Sequence, residues 1–278
     1  MRYIIIILNL FCFIFIAPMA IHAHSNIPYS KLTEQWQQQL DKASGTYGIY
    51  LLDINSGKTA GVNELTPFHA ASTIKIPINL YLYQQMAAKK LAPSTLLTYK
   101  AQHQEGGTGY LQNQPIGSMF TIEELSQASI THSDNVATNI LYDYLGRQNV
   151  KGYMRQIGGV IVVNNQNITC PRDMAIYMDE TRKFTLNHPQ LGSILMNHLE
   201  HTIFRDRLPA GIPPEITVAN KTGDWPPTGT HNDVAYVKHP HNPYILVVLS
   251  KSTPSSDEAY QVIKNISRMT YKFQSSIK

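Results

Sequence analysis

Apolar positions recur every three or four residues near both ends of the chain: Leu32, Trp36 and Leu40 at the front, and Ala259, Val262, Ile263, Ile266, Met269 and Phe273 at the back. That period lays one apolar stripe along a helix, so each end predicts an amphipathic helix with one buried face. Beside these helices the period changes. Residues 47–52, 216–221, 234–238 and 244–249 are short runs dense in β-branched and aromatic residues, which predicts strands. Asp53-Ile54-Asn55-Ser56-Gly57 supplies a turn from the first strand into another. Between residue 72 and about residue 208 the spacing is mostly helical, with helices predicted over 72–88, 122–130, 135–145 and 171–184.

A helix and two strands open the chain, and three strands and a helix close it. The simplest closure joins both ends into one antiparallel sheet of five strands, with the terminal helices packed on it. The expected fold class is therefore α+β: a five-stranded antiparallel sheet flanked by helices, plus an all-helical lobe. The sheet lobe is expected over about 24–68 and 212–278, the helical lobe over about 69–211, and together they form one domain spanning 24–278.

Residues 1–23 read differently. Arg2 gives a short basic start, residues 4–16 are apolar except for Asn9, and Ala17, Ala20 and Ala23 supply small residues for cleavage. This pattern predicts a secretory signal peptide ending at Ala23 or Ala20, hence an exported, periplasmic or extracellular protein with no stable membrane span after cleavage. Cleavage removes Cys12 and leaves Cys170 alone, so neither an internal disulfide nor a cysteine-based zinc site is possible. Cys170 is expected to be a packed core residue, and no cofactor is expected. The composition, 43% hydrophobic and 15% charged with a net charge of +4, suits a folded monomer and small anionic ligands. No Lys/Arg run marks a nucleic-acid face.

Three short strings carry the chemistry. Ser72-Thr73-Ile74-Lys75 begins a predicted helix, so Lys75 lies one turn from Ser72 on the same face, beside the unpaired N–H groups of the helix start. A serine hydroxyl needs a base to become a nucleophile, and Lys75 can serve only with its pKa lowered, as a second cation nearby would do. Ser133-Asp134-Asn135 precedes an apolar helix and reads as a helix cap, a rigid place to hold hydroxyl and amide groups. Lys221-Thr222-Gly223 ends a predicted strand, offering a charge and a hydroxyl to a carboxylate and close backbone approach at the glycine. A further Ser-x-x-Lys at Ser275–Lys278 lacks such a context.

The three strings stand in the order found in class A β-lactamases and penicillin-binding proteins, and the chain resembles that superfamily over essentially its whole mature length. Lesser matches are Gly106-Gly107-Thr108-Gly109-Tyr110-Leu111, Cys170-Pro171-Arg172-Asp173-Met174-Ala175, Arg205-Asp206-Arg207-Leu208-Pro209 and Asn232-Asp233-Val234-Ala235. The resemblance implies an active-site-serine hydrolase or acyltransferase. In it Ser72 is the nucleophile, Lys75 its base, Ser133 a proton relay to the leaving nitrogen, and Lys221 an anchor for an anionic substrate. It further implies that Asn135 binds a substrate amide, that Thr222 and Gly223 line the substrate, and that the N–H groups of Ser72 and Asp224 form the oxyanion hole, for which only the Asp224 backbone is needed. Tyr110 stands where it either stacks on a ligand or packs internally. Arg205 reads as a structural ion-pair residue, and His231 as a spare polar group near the Lys221 strand.

One part of the pattern is missing. Class A β-lactamases deacylate with a glutamate on an Ω-shaped loop, whereas the matching stretch here, residues 158–169, is markedly shorter and contains no acid. Loss of a positioned general base slows a step by about 10²–10⁴. The expectation is therefore ready acylation of Ser72 by β-lactams or peptides of the D-Ala-D-Ala type in peptidoglycan, followed by slow deacylation. Two alternatives remain: a true β-lactamase with a substitute base, and an acylation trap or sensor without turnover.

Overall fold

Strand β1 (Thr46–Asp53) pairs antiparallel with a strand some two hundred positions away, from Thr46 opposite Lys251 to Asp53 opposite Tyr244, and this ladder ties the two ends of the chain together. The computed structural model describes residues 28–277; the predicted signal segment lies outside them. Helix α1 (Tyr29–Leu40) precedes β1, and β2 (Thr59–Val62) follows it through the predicted turn. Then come β3 (Phe68–His69), a tight 3₁₀ turn (Ala71–Ile74), α2 (Lys75–Ala87), and the small β4 (Leu96–Thr98) and β5 (Met119–Thr121) pair. Helices α3 (Ile122–Thr131), α4 (Asn135–Leu145) and α5 (Arg147–Gln156) follow, then β6 (Ile168–Thr169), α6 (Pro171–Asn187) and α7 (Pro189–Glu200). The chain closes with β7 (Val218–Trp225), β8 (Thr230–Val237), β9 (Tyr244–Lys251) and α8 (Ser256–Ser276).

The main sheet has five strands and is antiparallel throughout, as the sequence predicts, and its order is β2-β1-β9-β8-β7. β9 explains why its run is apolar at every position rather than alternately. Tyr244, Leu246 and Val248 face the side covered by α1 and α8, with Leu32, Trp36, Val262, Ile263, Ile266 and Phe273. Ile245, Val247 and Leu249 face the other side, with Ile78, Leu82, Met174 and Met178 of α2 and α6. Alternate side chains point to opposite faces of a strand, so a central strand covered on both sides needs apolar residues at each. Each fully buried side chain of this size contributes about 1.5–3 kcal/mol.

Among the longer elements, three differ from expectation, and the short β3, β4, β5 and β6 are additional to it. α5 is polar along most of its length; Val150 and Met154, four apart, are its apolar buried residues, and Lys151 is buried beside them. α7 starts at Pro189 almost directly after α6, with the proline at its first position, where no N–H is needed. β7 runs four residues beyond its predicted end, through Thr222, Gly223, Asp224 and Trp225, because its ladder continues with Gly223 opposite Asn232 and Asp224 opposite His231. These polar strand residues interrupt the apolar run that marks a strand in sequence. Among the described residues, no helix is long and apolar enough to cross a membrane.

Candidate active site

The backbone bends sharply just before Ser72. Ala71 takes a left-handed conformation at φ 48°, rare for a residue with a side chain, and its N–H donates to His69 Nδ1 at 3.1 Å. Ala70 N donates to the Asn167 carbonyl at 2.8 Å, and Asn232 Nδ2 donates to the His69 carbonyl at 2.9 Å. The 3₁₀ turn that follows runs directly into α2. Residues three apart eclipse one another in a 3₁₀ turn, so Lys75 stands over Ser72.

Ser133 sits opposite, also left-handed at φ 53°. Of the three predicted cap residues, Asp134 is the one that caps. Its Oδ1 accepts from Ala137 N at 2.8 Å, while Oδ2 accepts from Tyr110 N at 2.7 Å and Leu111 N at 2.8 Å. One buried carboxylate thus starts α4 and pins the 106–111 loop beside Ser133. Gly109 is required there, since a Cβ would meet Asp134 Oδ2 at 2.2 Å.

Lys75 and Lys221 converge on Ser133. Lys75 Nζ donates to the Ser133 carbonyl at 2.6 Å and to Asn135 Oδ1 at 2.8 Å, and lies 3.2 Å from Ser133 Oγ. Lys221 Nζ reaches the same Oγ at 2.9 Å and donates to the Thr222 carbonyl at 3.0 Å. Both lysines are buried. Burial first, and the charge of Lys221 second, hold the Lys75 ammonium well below the usual lysine range. Burial pushes Lys221 down to about 7. A neutral amine has two N–H groups and one lone pair. With the N–H groups directed at the Ser133 carbonyl and Asn135, the lone pair of a neutral Lys75 is left to accept a hydroxyl proton.

β7 passes so close to Ser72 that only glycine fits at 223: a Cβ there would stand 2.8 Å from Ser72 N and 3.0 Å from Thr73 N. The close crossing brings the strings at 72, 133 and 221 together, with Thr222 buried alongside. Beside Ser72 and Lys75 opens a cavity of about 550 Å³ that extends to α5 and to Asn164, Asn165, Gln166 and Asn167 of the short acid-free loop.

Other predicted residues are placed differently. Asn135 has both amide ends engaged, Oδ1 by Lys75 and Nδ2 by the Gly106 carbonyl at 2.9 Å. Tyr110 is half-exposed and stands edge-on to His132, at 5.2 Å between centroids, outside the cavity wall. The Asp224 side chain is far from idle: Oδ2 accepts from Arg207 Nη2 at 2.5 Å, and Oδ1 lies 2.7 Å from His231 Nδ1 and 3.2 Å from the Tyr260 hydroxyl. Although burial opposes it, Arg207 and His231 hold the Asp224 carboxyl below its usual range. His231 is therefore a partner of Asp224 rather than a spare group. Arg205 makes no ion pair among the described residues; it donates to the carbonyls of Glu200 and Val218 at 2.8 and 3.2 Å, and the buried ion-pairing arginine is Arg207. Both arginines were in one sequence match, and only the fold separates them. Ser275 of the terminal Ser-x-x-Lys bonds to the Tyr271 carbonyl at 2.8 Å, on α8 and apart from this site.

The family model described as the β-lactamase enzyme family matches residues 31–274. β-Lactamase SME-1 of Serratia marcescens is 23% identical, with 86% of each chain covered, and a β-lactamase of Bacillus licheniformis is 26% identical, covering 84% of this chain and 77% of that one. Among solved structures, PBP-A superposes with a TM-score of 0.83 at 28% identity, covering 88% of this chain and 96% of PBP-A. A point mutant of PBP-A, solved as an acyl-enzyme complex with penicillin G, matches equally well, at a TM-score of 0.83, 28% identity, and 88% and 97% coverage.

Proposed function

The chain belongs to the β-lactamase enzyme family and is a serine hydrolase of the class A β-lactamase-like type, and from that premise we propose that Ser72 is its nucleophile and forms a long-lived acyl-enzyme. The observation that supports this best is the meeting of Lys75 and Lys221 on one hydroxyl, Ser133 Oγ, at 3.2 and 2.9 Å. In the proposed sequence neutral Lys75 takes the Ser72 proton as Oγ attacks the substrate carbonyl. The backbone N–H groups of Ser72 and Asp224 hold the developing oxyanion. The proton then passes through Ser133 to the leaving nitrogen, the carbonyl–nitrogen bond breaks, and Ser72 is left as an ester. Lys221 and Thr222 hold the substrate carboxylate.

The substrates of this reading are β-lactams and peptides ending in D-Ala-D-Ala. On a similar fold, the point mutant of PBP-A forms an acyl-enzyme complex with penicillin G. Slow deacylation follows from the side chains facing the acyl group. The loop offers Asn164, Asn165, Gln166 and Asn167, none of which can take a proton from water. Its neighbouring acid, Asp173, is buried and accepts from Val160 N and Ile161 N. A second reading, a β-lactamase with rapid turnover, draws on one observation: Glu105 also lines the cavity. Its carboxylate accepts from Asn139 at 2.7 Å, on the α4 side.

The reading includes export after removal of 1–23, with 24–278 as a single catalytic domain acting as a monomer. The test is mass spectrometry of the intact protein after exposure to benzylpenicillin. One penicilloyl group is expected on the wild type and none on Ser72→Ala. An adduct on the variant would remove Ser72 from the site.

A further inference from the structure

We propose that the cavity beside Ser72 is a subsite for acyl chains that end in a negative charge, with Lys151 and Arg147 of α5 as its anion-binding wall; this rests on Ser72 being the acylated residue. Ser133, Lys221 and Thr222, which hold the leaving-group carboxylate in the proposed mechanism, do not line this cavity. It extends from Ser72 and Lys75 to α5 and the 164–167 loop. A substrate crossing Ser72 with its carboxylate at Lys221 therefore directs the acyl portion into it.

Arg147 and Lys151 are four residues apart and share one face of α5. Both line the cavity. Lys151 is 2% exposed, and its hydrogen bond among the described residues is to the Gln166 carbonyl at 3.0 Å, which leaves two of its three N–H groups over. The Arg147 guanidinium carbon lies over the Tyr142 ring, 4.5 Å from its centroid, and Nη2 reaches Asn139 Oδ1 at 3.5 Å. Among the described residues neither cation is in an ion pair. A buried ammonium without a carboxylate is costly, and an incoming anion relieves that cost. Burial pushes Lys151 down to about 8, so it still carries its charge at neutral pH.

Two carboxylates also line the cavity. Asp224 is paired with Arg207 and in contact with His231, and Glu105 is exposed and bound to Asn139, so neither satisfies Lys151. At the opening, Trp225 stacks on His69 at 5.1 Å between centroids, a flat wall against which an apolar linker can lie. The ligand chemistry that fits is a carboxylate several bonds from the scissile carbonyl, joined to it by an apolar stem.

The test uses three penicillins with one nucleus and different side chains: hexanedioyl, ending in a carboxylate; hexanoyl, neutral; and 6-aminohexanoyl, cationic. Their second-order acylation rates are read by intact mass, with benzylpenicillin alongside. The hexanedioyl compound is expected to react about tenfold faster than the hexanoyl one, and the cationic compound slowest. Both Lys151→Met and Arg147→Gln are expected to shrink that spread, and the exposed position of Arg147 keeps the second variant folded. Equal rates for the three side chains, or a preference unchanged in both variants, overturn the subsite while leaving acylation at Ser72 standing. Failure of all four compounds to acylate the wild type would instead overturn the functional reading itself.

Discussion

Lys221 places an ammonium where no solvent reaches it, and its pKa of about 7 has two consequences of opposite sign. For binding, the proposed mechanism uses its charge to hold an anionic β-lactam. On the acid side Lys75 must lose its proton to act. The acylation rate is therefore expected to rise as Lys75 deprotonates and to fall as pH increases through about 7, giving a bell-shaped profile in stopped-flow measurements. For stability the sign reverses. The unfolded chain keeps the lysine proton to about pH 10.4, so between the two values the folded state binds fewer protons and stability rises with pH. Lys221→Met is expected to abolish acylation yet raise the melting temperature at pH 6, with the gain shrinking toward pH 10. A destabilised variant at pH 6 would contradict this account of the buried charge.

At this scale Ser72, Lys75, Ser133 and Lys221 stand out in the sequence because three fixed short strings hold them, and the structure brings the four residues to one place. The Asp224 side chain was not, because nothing in sequence links it to Arg207 and Tyr260, seventeen and thirty-six positions away. Lys151 was invisible for the opposite reason: a lysine on a polar helix reads as solvated, and only packing against the Gln166 carbonyl buries it.

Among the elements, α4 and the 106–111 loop depend on one carboxylate. Asp134→Ala removes three hydrogen bonds to buried or half-buried N–H groups and is expected to destabilise the protein by about 2–4 kcal/mol. It should also slow acylation, because Ser133 loses the loop packed beside it. Trp36→Ala, on the far side of the sheet, is expected to cost about 3–5 kcal/mol and leave the acylation rate of the folded protein unchanged. Denaturant titrations paired with acylation rates separate the two; equal slowing in both would mean that the loop is not held by Asp134. The helices and strands with strong apolar periods were legible to within a few residues. α5 and the polar end of β7 were not, since each carries the hydrophilic residues that line the site.

The fold is a sheet closed by the two ends of the described chain, with a helical layer that brings Ser72, Lys75 and the Ser133 hydroxyl to the edge strand β7, which carries Lys221. That architecture was readable from helices and strands at both ends of the sequence. Under the proposed mechanism the fate of the acyl-enzyme depends on a short loop of amides, Asn164, Asn165, Gln166 and Asn167. Export belongs to this scale too: mature protein from the native host is expected to begin after Ala20 or Ala23, and a retained Met1 would contradict it.

The most direct test is the lifetime of the acyl-enzyme. Wild-type protein is acylated with benzylpenicillin, freed of excess compound, and followed by intact mass. Rapid acylation with an adduct that decays over minutes or longer is the expected result, and turnover at many per second would contradict it.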